Sequence, residues 1–361
     1  MKAIVYQGDG KLSCQSGVPD PEILFPTDVI LKVEKAGICG SDLHQLQGRD
    51  PLRIGATFGH EVAGTVCDVG SEVADFKVGD RVFSPFSVSC GRCFFCQHGL
   101  TARCNHWQVF GHDDGRPGGD PRALGGAQAE FARVPHADHS LIAVPDEMGF
   151  AEAIFLADNF STGWSGVQQA RQLCQGPLET LVVMGCGVVG LSAVCAATYL
   201  NIPHVIAIDP VQYRREMAPS VRSGTGQLTH LSLPEAQSLI ADQCGDRHGV
   251  DAVVEAVGRQ TALQQAFELI RPFGTICSIG MHTEPSPISP GDEYGKNAIR
   301  ATGRASVRTT VQEILGLREQ GFELPVETLT SDDAIPFEEV QSAYERFGSR
   351  QQGCFKLMLE P

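Results

Sequence analysis

The sequence predicts an α/β protein in two parts, a β-rich domain and a doubly wound parallel-sheet domain inserted into it. Three observations carry that expectation. The chain has 361 residues, too many for one small core, so two domains are expected. Before about Asp158 the apolar runs are short and separated by glycine and proline. After it, strand-like and helix-like segments alternate, as in parallel βαβ units.

Taken in order, "KAIVY", "DVILKVEKAG", "EVAGTVCDVG", "GDRVFSPF", "AQAEFARVP" and "SLIAVP" read as strands of the first domain. The stretch His112 to Gly126 is rich in Gly, Pro and Asp and reads as a solvated connection or the rim of a site. In the second domain "ETLVVM" and "HVIAI" are strands, with "VVGLSAVCAATYL" a helix between them; "VDAVVEAVG" and "GTICSIG" follow, each after helix-like sequence. A helix should continue beyond Arg215, but Pro219 and the Gly and Ser residues of Met217 to Ser232 interrupt it. The tail from about Arg300 has two helical stretches and a last strand, "GCFKLML", and is expected to rejoin the first domain. The boundaries expected are 1–159 with 299–361, and 160–298.

Composition excludes some functions. A formal net charge of −15 argues against binding nucleic acid, whose phosphates want a basic face. No apolar run is long enough to cross a bilayer. The start, "MKAIVYQGDG", lacks the pattern of an export signal, so a cytoplasmic location is expected. Thirteen cysteines, an odd number, speak against a disulfide framework.

The densest motif is "TLVVMGCGVVGLSAV". Gly185, Gly187 and Gly190 form G-x-G-x-x-G between a strand and a helix, the context that makes the pattern specific for a dinucleotide. Gly185 permits a tight turn, Gly187 the approach of a pyrophosphate, and Gly190 close helix–strand packing. Val188 and Val189 open the helix whose unpaired N–H groups would face the phosphates. Asp209 ends the second strand, nineteen residues after Gly190. A carboxylate there can accept from both ribose hydroxyls and would repel a 2′-phosphate, favouring NAD over NADP. Arg214 and Arg215 lie just beyond and weaken that preference.

In "CGRCFFCQHGLTARC" two residues separate Cys90 from Cys93 and Cys93 from Cys96, and seven separate Cys96 from Cys104. Four thiolates at such spacing read as a closed, structural zinc site; an Fe–S cluster is the alternative. "AGICGSDLH" and "FGHEVAGTV" add Cys39 and His60, of metal-ligand type although each alone reads as a structural residue. Asp158 follows the apolar "AIFLA", and an ionised carboxylate there requires a positive partner.

Read together, these motifs resemble the zinc-dependent medium-chain alcohol dehydrogenase family over almost the whole chain. The resemblance implies a GroES-like catalytic domain and a Rossmann cofactor domain. It also implies a catalytic zinc held by Cys39, His60 and Asp158, and a second zinc on the cysteine quartet. By the same resemblance, Glu61 is a carboxylate able to enter the zinc shell, and Asp42 fixes the tautomer of the ligating histidine. Ser41 takes the alcohol proton and His44 passes it on through the nicotinamide ribose. Thr162, Ile279 and Met281 correspond to positions around the nicotinamide, and Val257 is a further candidate for binding the cofactor. Phe86, Trp107 and Phe110 are candidates for an apolar pocket wall.

The expected reaction moves a hydride between a small neutral alcohol, or the aldehyde or ketone in reverse, and NAD. An aspartate ligand leans towards the formaldehyde-dehydrogenase-like branch. A polyol or threonine dehydrogenase on the same scaffold is the near alternative, and a non-enzymatic NAD-binding redox sensor the far one. The resemblance further implies a homodimer or homotetramer.

Overall fold

The computed structural model describes residues 1–112, 123–330 and 334–361. Residues 113–122 of the Gly, Pro and Asp-rich stretch lie outside the described residues. The chain forms two compact units. One comprises Met1–Asp158, Ser306–Leu317 and Leu329–Pro361; the other comprises Asn159–Ala305 and Arg318–Thr328.

The first unit is built on a seven-stranded sheet. Its centre is the strand Val29–Gly37, which pairs antiparallel with Val62–Val69, Phe131–Val134 and Met358–Glu360. Alternation along this strand sends Val29, Leu31 and Val33 into a core shared with Val62, Val66, Val82 and Leu141. A second core lies between the N-terminal strand Ala3–Gly8 and the helix Val340–Gly348. That helix buries Val340, Ala343, Tyr344 and Phe347. Their spacing of three and four residues makes one apolar stripe.

The second unit is a parallel sheet of six strands. Its order is Gln227–Leu231, His204–Ile208, Thr180–Met184, Val250–Glu255, Ile270–Ser278, Ile299–Thr302. Thr180–Met184 and Val250–Glu255 are buried along their whole length, because helices cover both faces of such a sheet. The strand order reverses between these two central strands, the place where open α/β sheets bind ligands at the carboxyl ends of their strands.

Two features differ from the expected organisation. The strand Ile299–Thr302 pairs with Ile270–Ser278 and belongs to the parallel sheet, beyond the expected boundary at 298. Its short "IRAT" carries no pattern that assigns it; pairing decides. The helix after His204–Ile208 does stop at Arg215, but the interrupted stretch then supplies an edge strand, Gln227–Leu231. Its polar residues masked it, since an edge strand has one flank without a neighbour. Among the described residues, no helix is long and apolar enough to cross a membrane.

Candidate metal centre and dinucleotide site

Three chain breaks in the first unit bring the candidate ligands together. Cys39 lies just past the strand Val29–Gly37, and His60 just ahead of Val62–Val69. Asp158 interrupts two successive helices, Phe150–Ala157 and Asn159–Leu173, with φ −146° and ψ −71°. Cys39, His60, Glu61 and Asp158 are all buried, and each offers a ligand atom within 4.8 Å of the others.

The distances suit one small cation. Cys39 Sγ is 3.2 Å from Asp158 Oδ2, and His60 Nε2 is 3.5 Å from the same oxygen. A tetrahedral zinc with bonds of about 2.3 Å to sulfur and about 2.0 Å to nitrogen and oxygen sets those edges at about 3.5 and about 3.3 Å. The charges agree too. Thiolate, neutral imidazole and carboxylate sum to two negative charges, which a divalent ion balances. Burial, and then the Asp158 carboxylate, push the Cys39 thiol up to about 11. Burial also opposes ionisation of Asp158, but bonding and charge from His60, then Lys356, outweigh it and hold that carboxyl low. A cation bound there would stabilise the thiolate form of Cys39, which burial otherwise opposes.

The surrounding groups are ordered. His60 Nδ1 lies 3.0 Å from Asp42 Oδ1, which leaves Nε2 as the nitrogen facing the cluster. Asp42 Oδ2 accepts from Cys39 N at 2.9 Å. Ser41 Oγ sits 3.2 Å from Cys39 Sγ and 3.3 Å from His60 Nε2. His44 is buried on the short helix Asp42–Leu46. Glu61 pairs with Lys356 Nζ, both side chains wholly buried; burial pushes Glu61 up to about 7 while the ammonium pulls the other way. The Phe86 ring stands edge-on to His60, centroids 6.4 Å apart. Trp107 is half-buried on the quartet's loop, its backbone N–H donating to Cys104 O at 3.0 Å. Phe110 does not join the pocket wall: it lies in the first unit's core with Val29, Leu31 and Leu141, drawn there by the area a phenyl ring buries.

The cysteine quartet also converges. Cys93 Sγ lies 3.6 Å from Cys96 Sγ and 3.9 Å from Cys104 Sγ. Four sulfurs around zinc at about 2.3 Å stand about 3.8 Å apart. Cys104 Sγ accepts N–H bonds from Cys90 and His106 at 3.2 and 3.3 Å. Bonds from the backbone at Asn105, then Cys96, bring the Cys93 thiol down to about 6, as suits a thiolate ligand.

In the second unit the glycine turn has the expected geometry. Gly185 has φ +94°, and a Cβ on Gly190 would lie 1.7 Å from Gly185 O, so only glycine fits that close approach. Gly187 caps the helix Val188–Tyr199. Asp209 Oδ2 accepts from Cys186 N at 2.8 Å and Oδ1 from Val211 N at 2.8 Å, tying the second strand's end to the turn. Arg214 Nη1 lies 3.8 Å from where a Gly187 Cβ would be. Val257 reaches over Gly185, and Gly280 packs on Gly258, which brings Ile279 and Met281 to the same edge of the sheet. The helix carrying Thr162 joins them: a Cβ on Gly163 would strike Val189 O at 2.6 Å.

Two ionisable residues escaped the sequence reading, Lys356 and Glu255. Glu255 is fully buried and accepts from Val257 N and Gly258 N, both at 2.7 Å, and from Ser278 Oγ at 2.7 Å, with His282 Nε2 at 2.8 Å. Each stands in an apolar strand-like run, "FKLML" and "AVVEAV", the signal that exposed Asp158.

A profile of the alcohol dehydrogenase GroES-like domain matches residues 25–146, and one of zinc-binding dehydrogenases matches 188–318. The zinc-type alcohol dehydrogenase B of Aspergillus flavus is 33% identical over 356 residues, covering 97% of this chain and 79% of that protein. A glutathione-independent formaldehyde dehydrogenase of Pseudomonas aeruginosa is 31% identical over 332 residues, covering 83% of this chain and 80% of its own length. Among solved structures, alcohol dehydrogenase TADH from Thermus sp. ATN1 superposes with a TM-score of 0.86 at 31% identity, covering 100% of this chain and 99% of its own.

Proposed function

Since this chain belongs to the zinc-dependent medium-chain alcohol dehydrogenase family, we propose that it transfers a hydride between a small neutral alcohol, or the matching aldehyde or ketone, and NAD. The observation that carries this reading is the convergence of Cys39, His60 and Asp158 at distances and a charge that fit zinc. Three protein ligands leave one coordination position for the reactant, as in catalytic rather than structural zinc sites. Zinc held there supplies Lewis acidity.

The chain's own groups take the remaining tasks. Ser41 Oγ, beside two ligand atoms, suits acceptance of the alcohol proton, and His44 its passage onward. Asp42 keeps the imidazole proton on Nδ1. The carboxylate of Asp209 beside the glycine turn disfavours a 2′-phosphate, while Arg214 near Gly187 works in the opposite sense. The balance proposed is NAD. A polyol or threonine substrate is the second reading, favoured by Glu61 lying within 4.8 Å of the other donors. Assembly as a homodimer or homotetramer belongs to the same proposal and is read by light scattering.

The test joins metal analysis to turnover. The purified chain should carry two zinc ions. It should reduce NAD faster than NADP with simple alcohols, and faster with these than with polyols or threonine. Asp158→Ala should lose one ion and nearly all activity. An Asp158→Ala variant with full metal and full turnover would remove the proposal, and preference for polyols would select the second reading.

A further inference from the structure

Beyond Asp42 a row of buried side chains continues outward from the candidate metal centre. Gln128 and Tyr344 are buried on different segments of the first unit. Gln128 Nε2 donates to Gly37 O at 3.0 Å and to Tyr344 Oη at 2.7 Å. An amide nitrogen has two hydrogens, and both are spent. Tyr344 Oη therefore accepts from Gln128 and directs its own hydrogen to Asp42 Oδ2, 2.7 Å away. Asp42 Oδ1 meets His60 Nδ1. The donors in the row are thereby assigned: Gln128 donates to Gly37 O and to Tyr344, Tyr344 donates to Asp42, and the other Asp42 oxygen lies beside His60 Nδ1.

The row is built into the fold. Tyr344 sits on the inward stripe of the helix Val340–Gly348, and its ring packs edge-on against Phe58 at 5.6 Å. Gly59, next to His60, has φ +85°, and a Cβ there would lie 2.4 Å from Gln128 Cγ. A glycine at that point is what lets Gln128 pass the segment that carries His60.

We infer that Tyr344, held by Gln128, is a positioning residue for the metal centre: its hydroxyl orients the Asp42 carboxylate, which fixes the tautomer and ring plane of His60. This rests on the zinc reading above. Partners that orient a metal-ligating histidine change metal affinity by about 10- to 100-fold when removed. Tyr344 stands one bond further out, so about tenfold is expected.

The test follows zinc release from the loaded protein into an excess of chelator, read with a chromogenic indicator. The wild type should release two ions in two phases, and the phase lost in Asp158→Ala belongs to the centre. Tyr344→Phe should speed that phase about tenfold and leave the quartet's phase within about twofold. Gln128→Leu should act in the same direction. In the cobalt-substituted protein, Tyr344→Phe should shift the visible absorption of the centre, which a loss of packing alone would not do. The inference is overturned if Tyr344→Phe releases zinc at the wild-type rate while Asp42→Asn speeds release. It is equally overturned if both phases accelerate together, the sign of general loosening. Failure of the underlying reading looks different: the wild type itself would carry only the quartet's ion.

Discussion

Glu255 shows how much one carboxylate can organise. It is wholly buried at the end of Val250–Glu255 and takes bonds from two backbone amides, a serine and a histidine. Burial alone would raise its pKa, but bonding from His282, Ser278 and Gly258 N outweighs that and holds it below the ordinary glutamate value. A carboxyl depressed in the folded state binds fewer protons there than in the unfolded chain. Its stabilisation is complete above the ordinary glutamate value and is lost as pH falls through the folded one. Glu255→Gln keeps the shape but cannot accept on both oxygens. It should cost about 1–3 kcal/mol at neutral pH. The gap in melting temperature between variant and wild type should close as pH is lowered from about 6 towards about 3. Melting curves across that range decide it; a gap that is constant with pH would show that the carboxylate's charge is not what matters. His282, on the loop after Ile279 and Met281, should loosen at the same time, so NADH binding followed by fluorescence gives a second reading of one substitution.

At the scale of elements, the segment Cys90–Cys104 is held by its sulfurs and by two bonds, Ala102 N to Ser306 Oγ at 3.3 Å and Thr309 Oγ1 to Gly99 O at 2.9 Å. Its only regular structure is the helix Phe94–Gln97 and the single turn Thr101–Arg103. Phe94 and Leu100 are exposed, so no apolar core of its own stabilises it. Cys93→Ser should release one zinc, make this segment sensitive to limited proteolysis and lower the melting temperature by several degrees. A full zinc content with unchanged proteolysis would argue against a metal-held loop. This element was legible in the sequence because cysteine spacing is local: fifteen consecutive residues carry the whole site. The glycine turn was legible for the same reason, and so were strands with strong alternation. The strand Ile299–Thr302 and the edge strand Gln227–Leu231 were not, since partners set them rather than pattern. Phe110 was misplaced because an aromatic residue near a site and one in a core have the same sequence signature. Gln128 and Tyr344 were invisible because 216 residues separate them, and no spacing rule joins residues so far apart.

The whole molecule returns to the candidate metal centre through its last strand. Lys356 precedes Met358–Glu360, and its ammonium donates to Ile38 O at 3.1 Å and pairs with Glu61, with no exposure of either side chain. A Cβ on Gly37 would lie 1.8 Å from Glu61 Oε2, so the central strand has been thinned to admit the pair. The charges then close. Ionised, Cys39, Asp158 and Glu61 would bring three negative charges, and a zinc ion held there would bring, with Lys356, three positive ones. Burying one partner without the other is costly: loss of half of such a pair destabilises by about 3–5 kcal/mol, whereas replacing both with neutral residues of similar volume is often tolerated. Lys356→Met should therefore lower stability by an amount in that range, and Glu61→Gln combined with it should recover much of the loss. Denaturant unfolding of the wild type, both single variants and the double variant measures the coupling. A double variant as unstable as the sum of the singles would mean the two groups act independently, and the charge balance drawn here would fail. The metal provides a second discrimination. Lys356→Met leaves the centre one negative charge in excess, so it should hold zinc at least as tightly as wild type even while the fold weakens. Metal retention and stability moving in opposite directions is the signature of a charge that serves the fold and the site together.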